Sequence, residues 1–241
     1  MKVTLPGLLT LNAGYVDAAG FLALKGLFTA HVTGNFVTLG SALVLGTSGV
    51  RAKLLAIPMF CVVLLLTRLL SYRLHTHVRA ELRTVLALQV VLLAASAGLA
   101  IWLGPFANGN GWPALVTGMA FVAAMAVQVA AQRLYLPNAP TTTMMTGNTT
   151  KLMMELGELL HGIAPGKVAA ARARIRHETA LVVTFVVGCA AATGLFAYVG
   201  VWCFLAPPLF GFVALFLAET SSTSPAPATD SPLASSRVTK T

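Results

Sequence analysis

Long apolar runs, each ended or interrupted by a few polar residues, set the pattern along this chain. Residues 8–24, LLTLNAGYVDAAGFLAL, make a first run, and about 20 apolar residues suffice for a membrane-spanning helix. Leu54–Leu70, Thr84–Leu103 and Ala114–Ala131 read the same way, and from Thr179 to Ala218 there is not one charged residue. That last run is too long for a single span and suits two joined by a tight turn. Gly200, between the interface-favouring aromatics Tyr198 and Trp202, is the expected turn, with Pro207-Pro208 as the alternative. Between the runs lie a basic connection at 72–83, the turn-rich GPFANGNGWP at 104–113 and a basic connection from Lys167 to His177. The Ser, Thr, Pro and Ala-rich residues 220–241 have little to bury and read as a disordered tail.

Two short stretches break the apolar pattern in the same manner: TAHVTGNFVTLG at 29–40 and TTMMTGNTTKLM at 142–153. Laying residues 13–39 on 126–152 matches Ala13 with Ala126, Val16 with Val129, Ala18 with Ala131, Thr29 with Thr142, both TGN triplets and Leu39 with Leu152. The chain therefore reads as a duplicated half, with halves at about 5–105 and 113–218 in a single membrane domain of residues 1–219. Each half runs span, TGN helix, span, span.

Composition agrees, since 57% hydrophobic and 10% charged residues with a mean hydropathy of +0.82 lie far outside the range of soluble domains. The expected fold is all-α and polytopic. The first run follows a single lysine, contains Asp17 and lacks a small-x-small cleavage site, so it reads as a retained span. Cys61, Cys189 and Cys203 fall inside apolar runs with no CxxC or Cys/His spacing, so neither a disulfide nor a metal is expected. The net charge of +9 has no interleaved stacking aromatics, which argues against nucleic acid and for membrane orientation.

Whether the TGN helices cross the bilayer decides the topology. From Thr33 to Gly46 the helix would reach about 21 Å, against a hydrocarbon core of about 30 Å. The second TGN helix carries Lys151, Glu155, Glu158 and His161 and cannot face lipid along its length. If both helices leave by the face they enter, every Lys and Arg except Lys25, Arg51 and Lys53 falls on one side, as the positive-inside rule favours. The expectation is about six transmembrane helices, two broken or re-entrant TGN segments and an inverted repeat, with both termini cytoplasmic.

A non-helical step at membrane depth is tolerated only where protein or a polar cavity satisfies its backbone. The candidate pathway residues are therefore Thr33, Gly34 and Asn35 in the first break and Thr146, Gly147 and Asn148 in the second. The threonines and asparagines can cap a half-helix, and the glycines permit close backbone approach. The competing account is that TGN only caps and packs two helices. Asp17, at the centre of its span, could carry a proton; the structural alternative is a tie to Arg133, with Gln128 nearby. Glu155 could line a path, or pair locally with Lys151 four residues earlier. His31 reads as a packing residue, and Gly188, Gly194 and AASAG at 94–98 as helix-packing sites.

AGYVDAAGFLALKGLFTAHVTGN and AVQVAAQRLYLPNAPTTTMMTGNTTKL resemble the YoaK-like family of bacterial membrane proteins, a domain-of-unknown-function family, across about residues 5–218. The resemblance implies a polytopic inner-membrane protein and brings no established substrate or reaction. Its family-like positions here are Gly14, Asp17, Ala18, Thr33, Gly34, Asn35, Gln128, Arg133, Thr141, Thr142, Thr146 and Gly147. No GxSxG, HExxH or Walker loop is present, so an enzyme is not expected, nor a cofactor. The partners to expect are the lipid bilayer and an unknown small solute or ion, with oligomerisation open. The leading reading is a small secondary transporter or channel, and the alternative is a non-transporting membrane scaffold or assembly protein.

Overall fold

The computed structural model describes residues 4–74, 77–137, 139–162 and 164–220; the predicted tail lies, beyond Thr220, outside the described residues. These residues form helices without a β-strand: α1 (Leu5–Ala23), α2 (Gly34–Leu45), α3 (Val50–Leu74), α4 (Val78–Leu103), α5 (Trp112–Tyr135), α6 (Met145–His161), α7 (Pro165–Val199), a short 3-10 turn (Gly200–Leu205) and α8 (Ala206–Thr220). Val50–Leu74, Val78–Leu103, Trp112–Tyr135 and the stretch Gly166–Ala218 are long and apolar enough to cross a membrane.

Local chemistry sets the helix ends. Thr4 caps α1, its hydroxyl accepting from Gly7 N at 3.3 Å, with Pro6 in the first turn where no N–H is needed. After Ala23 the chain turns through Lys25 and Gly26, both at positive φ (56° and 83°), and the second is a glycine because that region is costly for other residues. α7 ends at Gly200 as expected from the sequence, also at positive φ. The basic stretch Lys167–His177 is not a loop as anticipated but the first part of α7, whose 35 residues reach about 52 Å at about 1.5 Å per residue. A helix that long extends past a core of about 30 Å, so its basic residues ride outside the lipid while the backbone stays paired.

The burial pattern places α5 at the centre and α3 outside: 72% of the apolar window of α5 is enclosed, against 11% for α3. Two buried clusters stack along the helices. One joins Leu5, Leu8 and Leu9 to Leu82 and Val85 of α4, Val127 and Ala131 of α5, and Ala214 and Ala218 of α8. The other joins Ala23, Leu24 and Leu27 to Ala52 and Ala56 of α3, Ala100 of α4, Ala114 of α5 and Cys203. The beginning of α1 thus lies with the end of α5, so α1 and α5 run antiparallel. By contrast α1 and α7 run parallel, Leu8 facing Leu181 and Asp17 facing Cys189 across shared clefts.

Small residues make that last contact close. A Cβ on Gly14 would collide with the Phe185 carbonyl, and one on Gly188 with the Leu11 carbonyl, so each glycine lets the opposite backbone in. Gly188 therefore packs as the sequence suggested. Gly194 and Gly98 do not, since nothing lies near the Cβ either would carry.

Neither α2 nor α6 reaches the far end of the bundle. The chain leaves α1 beside Lys25 and enters α3 beside Gly49, where the Lys25 carbonyl is 3.1 Å from the Cβ position of Gly49. Loop 104–111 seals this end: Asn110 Oδ1 accepts from Gly49 N (3.0 Å) and Arg51 N (3.3 Å), capping α3 from a distant hairpin. α6 starts from the end of α5 and returns to the start of α7, at the Leu5 end, where Glu155 meets Arg174 at 2.7 Å.

Candidate functional site

Between α1 and α2 the chain doubles back along α1. Leu27 lies beside Gly20, and Thr29 beside Gly20, Val16 and Asp17. Asp17 sits seven residues before the α1 cap at Leu24, so the loop descends about 10 Å below that end at about 1.5 Å per residue. Asp17 is what holds it there. Oδ1 accepts from the backbone N–H of Thr29 (2.8 Å), Ala30 (2.8 Å) and His31 (3.4 Å), with the Thr29 hydroxyl at 3.4 Å. Oδ2 lies 2.7 Å from His31 Nδ1. An ionised carboxylate can only accept, so Nδ1 carries the proton of that bond.

Asn35 completes the turn. Its Nδ2 donates to the Phe28 carbonyl at 2.8 Å and its Oδ1 accepts from Phe28 N at 2.9 Å. The sequence suggests Thr33 and Asn35 as helix caps; instead Thr33 makes no side-chain cap to α2 and points outward, and Asn35 turns back to the loop. Gly34 does allow a close approach, a Cβ there lying 3.0 Å from the Phe28 ring.

The second segment repeats this plan with different residues. Gln132 Oε1 accepts from Thr142 N (3.0 Å) and the Thr142 hydroxyl (2.8 Å), while its Nε2 donates to the Pro140 carbonyl (2.6 Å). Asn148 Nδ2 donates to the Thr141 carbonyl (2.7 Å), and its Oδ1 accepts from the Thr141 hydroxyl (3.0 Å). α6 begins at Met145, so the second TGN triplet is its first turn and not the break, which lies before it. Thr146 and Gly147 are exposed, and nothing lies near the Cβ position of Gly147, so no close approach requires that glycine.

The remaining sequence candidates fall elsewhere. The Asp17–Arg133 tie is not formed: Arg133 is exposed at the Leu5 end with Met144 Sδ at 3.7 Å, whereas Asp17 is saturated by the α1–α2 loop. Glu155 binds Arg174 of α7 and not Lys151 of its own helix. Gln128 lies at the centre of the bundle, where its Oε1 accepts from Asn12 Nδ2 (2.8 Å) and Gln89 Nε2 (2.7 Å), and its Nε2 donates to the Leu9 carbonyl (2.9 Å). Asn12 Oδ1 and Gln89 Oε1 are buried with no hydrogen-bond partner among the described residues.

Asp17 and His31 form the polar floor of a cleft of about 420 Å³ walled by Phe21, Phe28, Phe185 and Cys189. His31 is the member of the pair that faces the cleft, its side chain 32% exposed against 5% for Asp17. Such a pair can exchange a proton or orient a polar solute inside an apolar wall. Among the described residues, no three His, Cys, Asp or Glu side chains gather as a metal would need. From the sequence His31 reads as a packing residue, and Gln132, Asn12 and Gln89 carry no signal of their own. Gln132 was nonetheless within reach, because the matched threonines Thr29 and Thr142 pose the question of what binds each.

Over 40 residues the chain is 55% identical to the UPF0700 transmembrane protein YoaK of Bacillus subtilis (strain 168), a stretch covering 17% of this chain and 18% of that protein. No solved structure matches the chain. The family described as "Protein of unknown function (DUF1275)" matches residues 5–217, and that range takes in both looped segments and nearly every described helix. The chain is accordingly a transmembrane protein belonging to the DUF1275 family.

Proposed function

We propose that this protein is a small secondary transporter or channel for a small solute, built as an inverted duplication in which α1, α3, α4, α5, α7 and α8 cross the membrane. The observation that carries the reading is that the two looped segments leave and re-enter at opposite ends of the bundle: α2 at the Lys25 end, α6 at the Leu5 end. Irregular backbone at membrane depth is tolerated where protein satisfies it or where it lines a polar cavity, and inverted repeats with broken helices are a recurring transporter plan. Three further correspondences support it. α1 packs with α7 and α8 as α5 packs with α3 and α4, which exchanges the halves. α1 and α5 run antiparallel. Asp17 with Thr29 and Asn35 with Phe28 have counterparts in Gln132 with Thr142 and Asn148 with Thr141.

The cleft over Asp17 and His31 is the solute site of this reading, and the amides of Asn12 and Gln89, each with an unpartnered oxygen, meet Gln128 where the halves join. The basic residues Arg68, Arg73, Arg79, Arg83, Arg133 and those opening α7 share the Leu5 end, so that end faces the cytoplasm of a bacterial inner membrane. No catalytic step and no cofactor belong to this reading.

Flux through purified protein in liposomes tests it, with protons followed by an entrapped pH dye and sodium, chloride, amino acids and sugars followed as labelled solutes. Passage of one of them, lost in His31→Gln with unchanged monodispersity and melting temperature, is the expected result. A folded protein that passes none of them sinks transport and leaves the scaffold reading.

A further inference from the structure

A second cleft, of about 680 Å³, lies away from Asp17, between the first turns of α1 and the basic part of α7. Gly7 and Leu11 form one wall, Ala180 and Thr184 the other, and Arg176 and His177 stand at its rim. The groove exists because small residues face each other there: Gly7 has no side chain, and its nearest neighbour at the Cβ position is Thr4 of its own helix and not α7. About two turns beyond Gly7, Gly14 and Gly188 let the two helices close completely. The groove is thus a tapering slot, wide at the basic end and shut at mid-depth.

From the chemistry of this slot we infer an anionic phospholipid site, the headgroup phosphate held by Arg176 and His177 and one acyl chain lying along Gly7, Leu11, Ala180 and Thr184. Three observations select that occupant. Arg176 and His177 stand where the apolar stretch of α7 begins, so they meet the membrane at headgroup level while the slot below meets hydrocarbon. Among the described residues no carboxylate lines the cleft, Glu178 beside His177 being buried and outside its lining, so Arg176 at the rim complements a phosphate. The walls are otherwise alanine, leucine, glycine and threonine, which suit a flexible chain and give a soluble anion nothing below the rim. Arg174 is engaged by Glu155 on the α6 side and takes no part.

Native mass spectrometry of the detergent-purified full chain, with equimolar phosphatidylglycerol and phosphatidylcholine, tests the site. Wild type should retain phosphatidylglycerol preferentially, and Arg176→Gln with His177→Gln should lower that preference about fivefold. Arg172→Gln removes the same kind of charge from α7 outside the cleft and should change nothing. Ala180→Leu fills the slot and should reduce retention of both lipids. Glycerol 3-phosphate at millimolar concentration should not displace the lipid; if it does, the site is one for soluble phosphate and the lipid assignment falls. Equal retention of the two lipids by wild type, or an Arg172→Gln effect as large as that of the rim variants, also overturns it.

Discussion

Asn35 and Asn148 hold the same place in their two segments: each donates its side-chain Nδ2 to the backbone carbonyl seven residues earlier, at 2.8 and 2.7 Å. Both are buried. Asn35 also accepts the Phe28 N–H, so its loss strands two backbone groups, while the Thr141 hydroxyl that faces Asn148 lies within 3.2 Å of the Met144 carbonyl and keeps a partner. Asn35→Ala is therefore expected to cost about 2–6 kcal/mol and Asn148→Ala about 1–3 kcal/mol, at roughly 1–3 kcal/mol per buried group left unpaired. Thermal unfolding in detergent measures the order. A loss of flux with undiminished stability would instead make these residues part of a path.

Asp17 and Gln132 anchor their loops with unequal strength. The carboxylate receives backbone, hydroxyl and imidazole donors together, whereas the amide receives Thr142 twice and gives one bond to Pro140. Bonds to a charged group contribute about 1.5–3 kcal/mol, neutral ones about 1 kcal/mol. Asp17→Ala should therefore be more destabilising than Gln132→Ala by about 2 kcal/mol or more, with Asp17→Asn between them because one acceptor oxygen survives. Equal midpoints for Asp17→Ala and Gln132→Ala would show that the loop is held by packing and not by these acceptors.

Hydropathy alone identified the long spans, because burial in lipid imposes the same apolar demand on every crossing helix. Gly200 was legible for a similar reason, being the one glycine placed between interface aromatics in an unbroken apolar run. The site was less so. Asp17 and Asn35 stood out as polar residues in apolar surroundings, but their partners are mostly backbone N–H and C=O groups, which no sequence displays. Gln132 escaped because it lies two positions beyond the counterpart of Asp17, Ala130. The amide side chain is longer and reaches the matched threonine from about half a turn further along the helix. Helical continuation of α7 through Lys167–His177 was hidden too, since charge marks where lipid ends and not where a helix does.

The amides of Asn12, Gln89 and Gln128 separate path from packing. Two donors share one oxygen of Gln128, and two carbonyl oxygens are left without partners. Removing Gln128 alone strands both donors, so Gln128→Leu should lower stability by about 2–4 kcal/mol. Replacing all three together by leucine or methionine removes every polar group at once and should recover most of that loss, as for other buried polar sets exchanged for apolar ones. If the cluster serves transport, the triple variant melts near wild type yet passes no solute. A triple variant with full flux would remove the cluster from any pathway.

Sided thiol labelling decides the arrangement of the halves. With Cys61, Cys189 and Cys203 replaced, one reporter goes to Thr47 or Ser48, just after α2, and another to Gly166, in the first turn of α7 after α6. Thr47 and Gly166 are exposed, and the Cβ position of Gly166 meets nothing, so a cysteine fits without strain. Because α2 returns to the Lys25 end and α6 to the Leu5 end, the two reporters should label from opposite faces of intact vesicles, with Gly166 reached from the cytoplasmic side. Labelling from one face would require the TGN helices to cross and the halves to run parallel. The antiparallel pairing of α1 with α5, set by Leu8 near Val127 and Leu24 at the α1 cap against Gly118, would then have to be wrong as well. The experiment therefore tests the packing of the central helices and the topology at once.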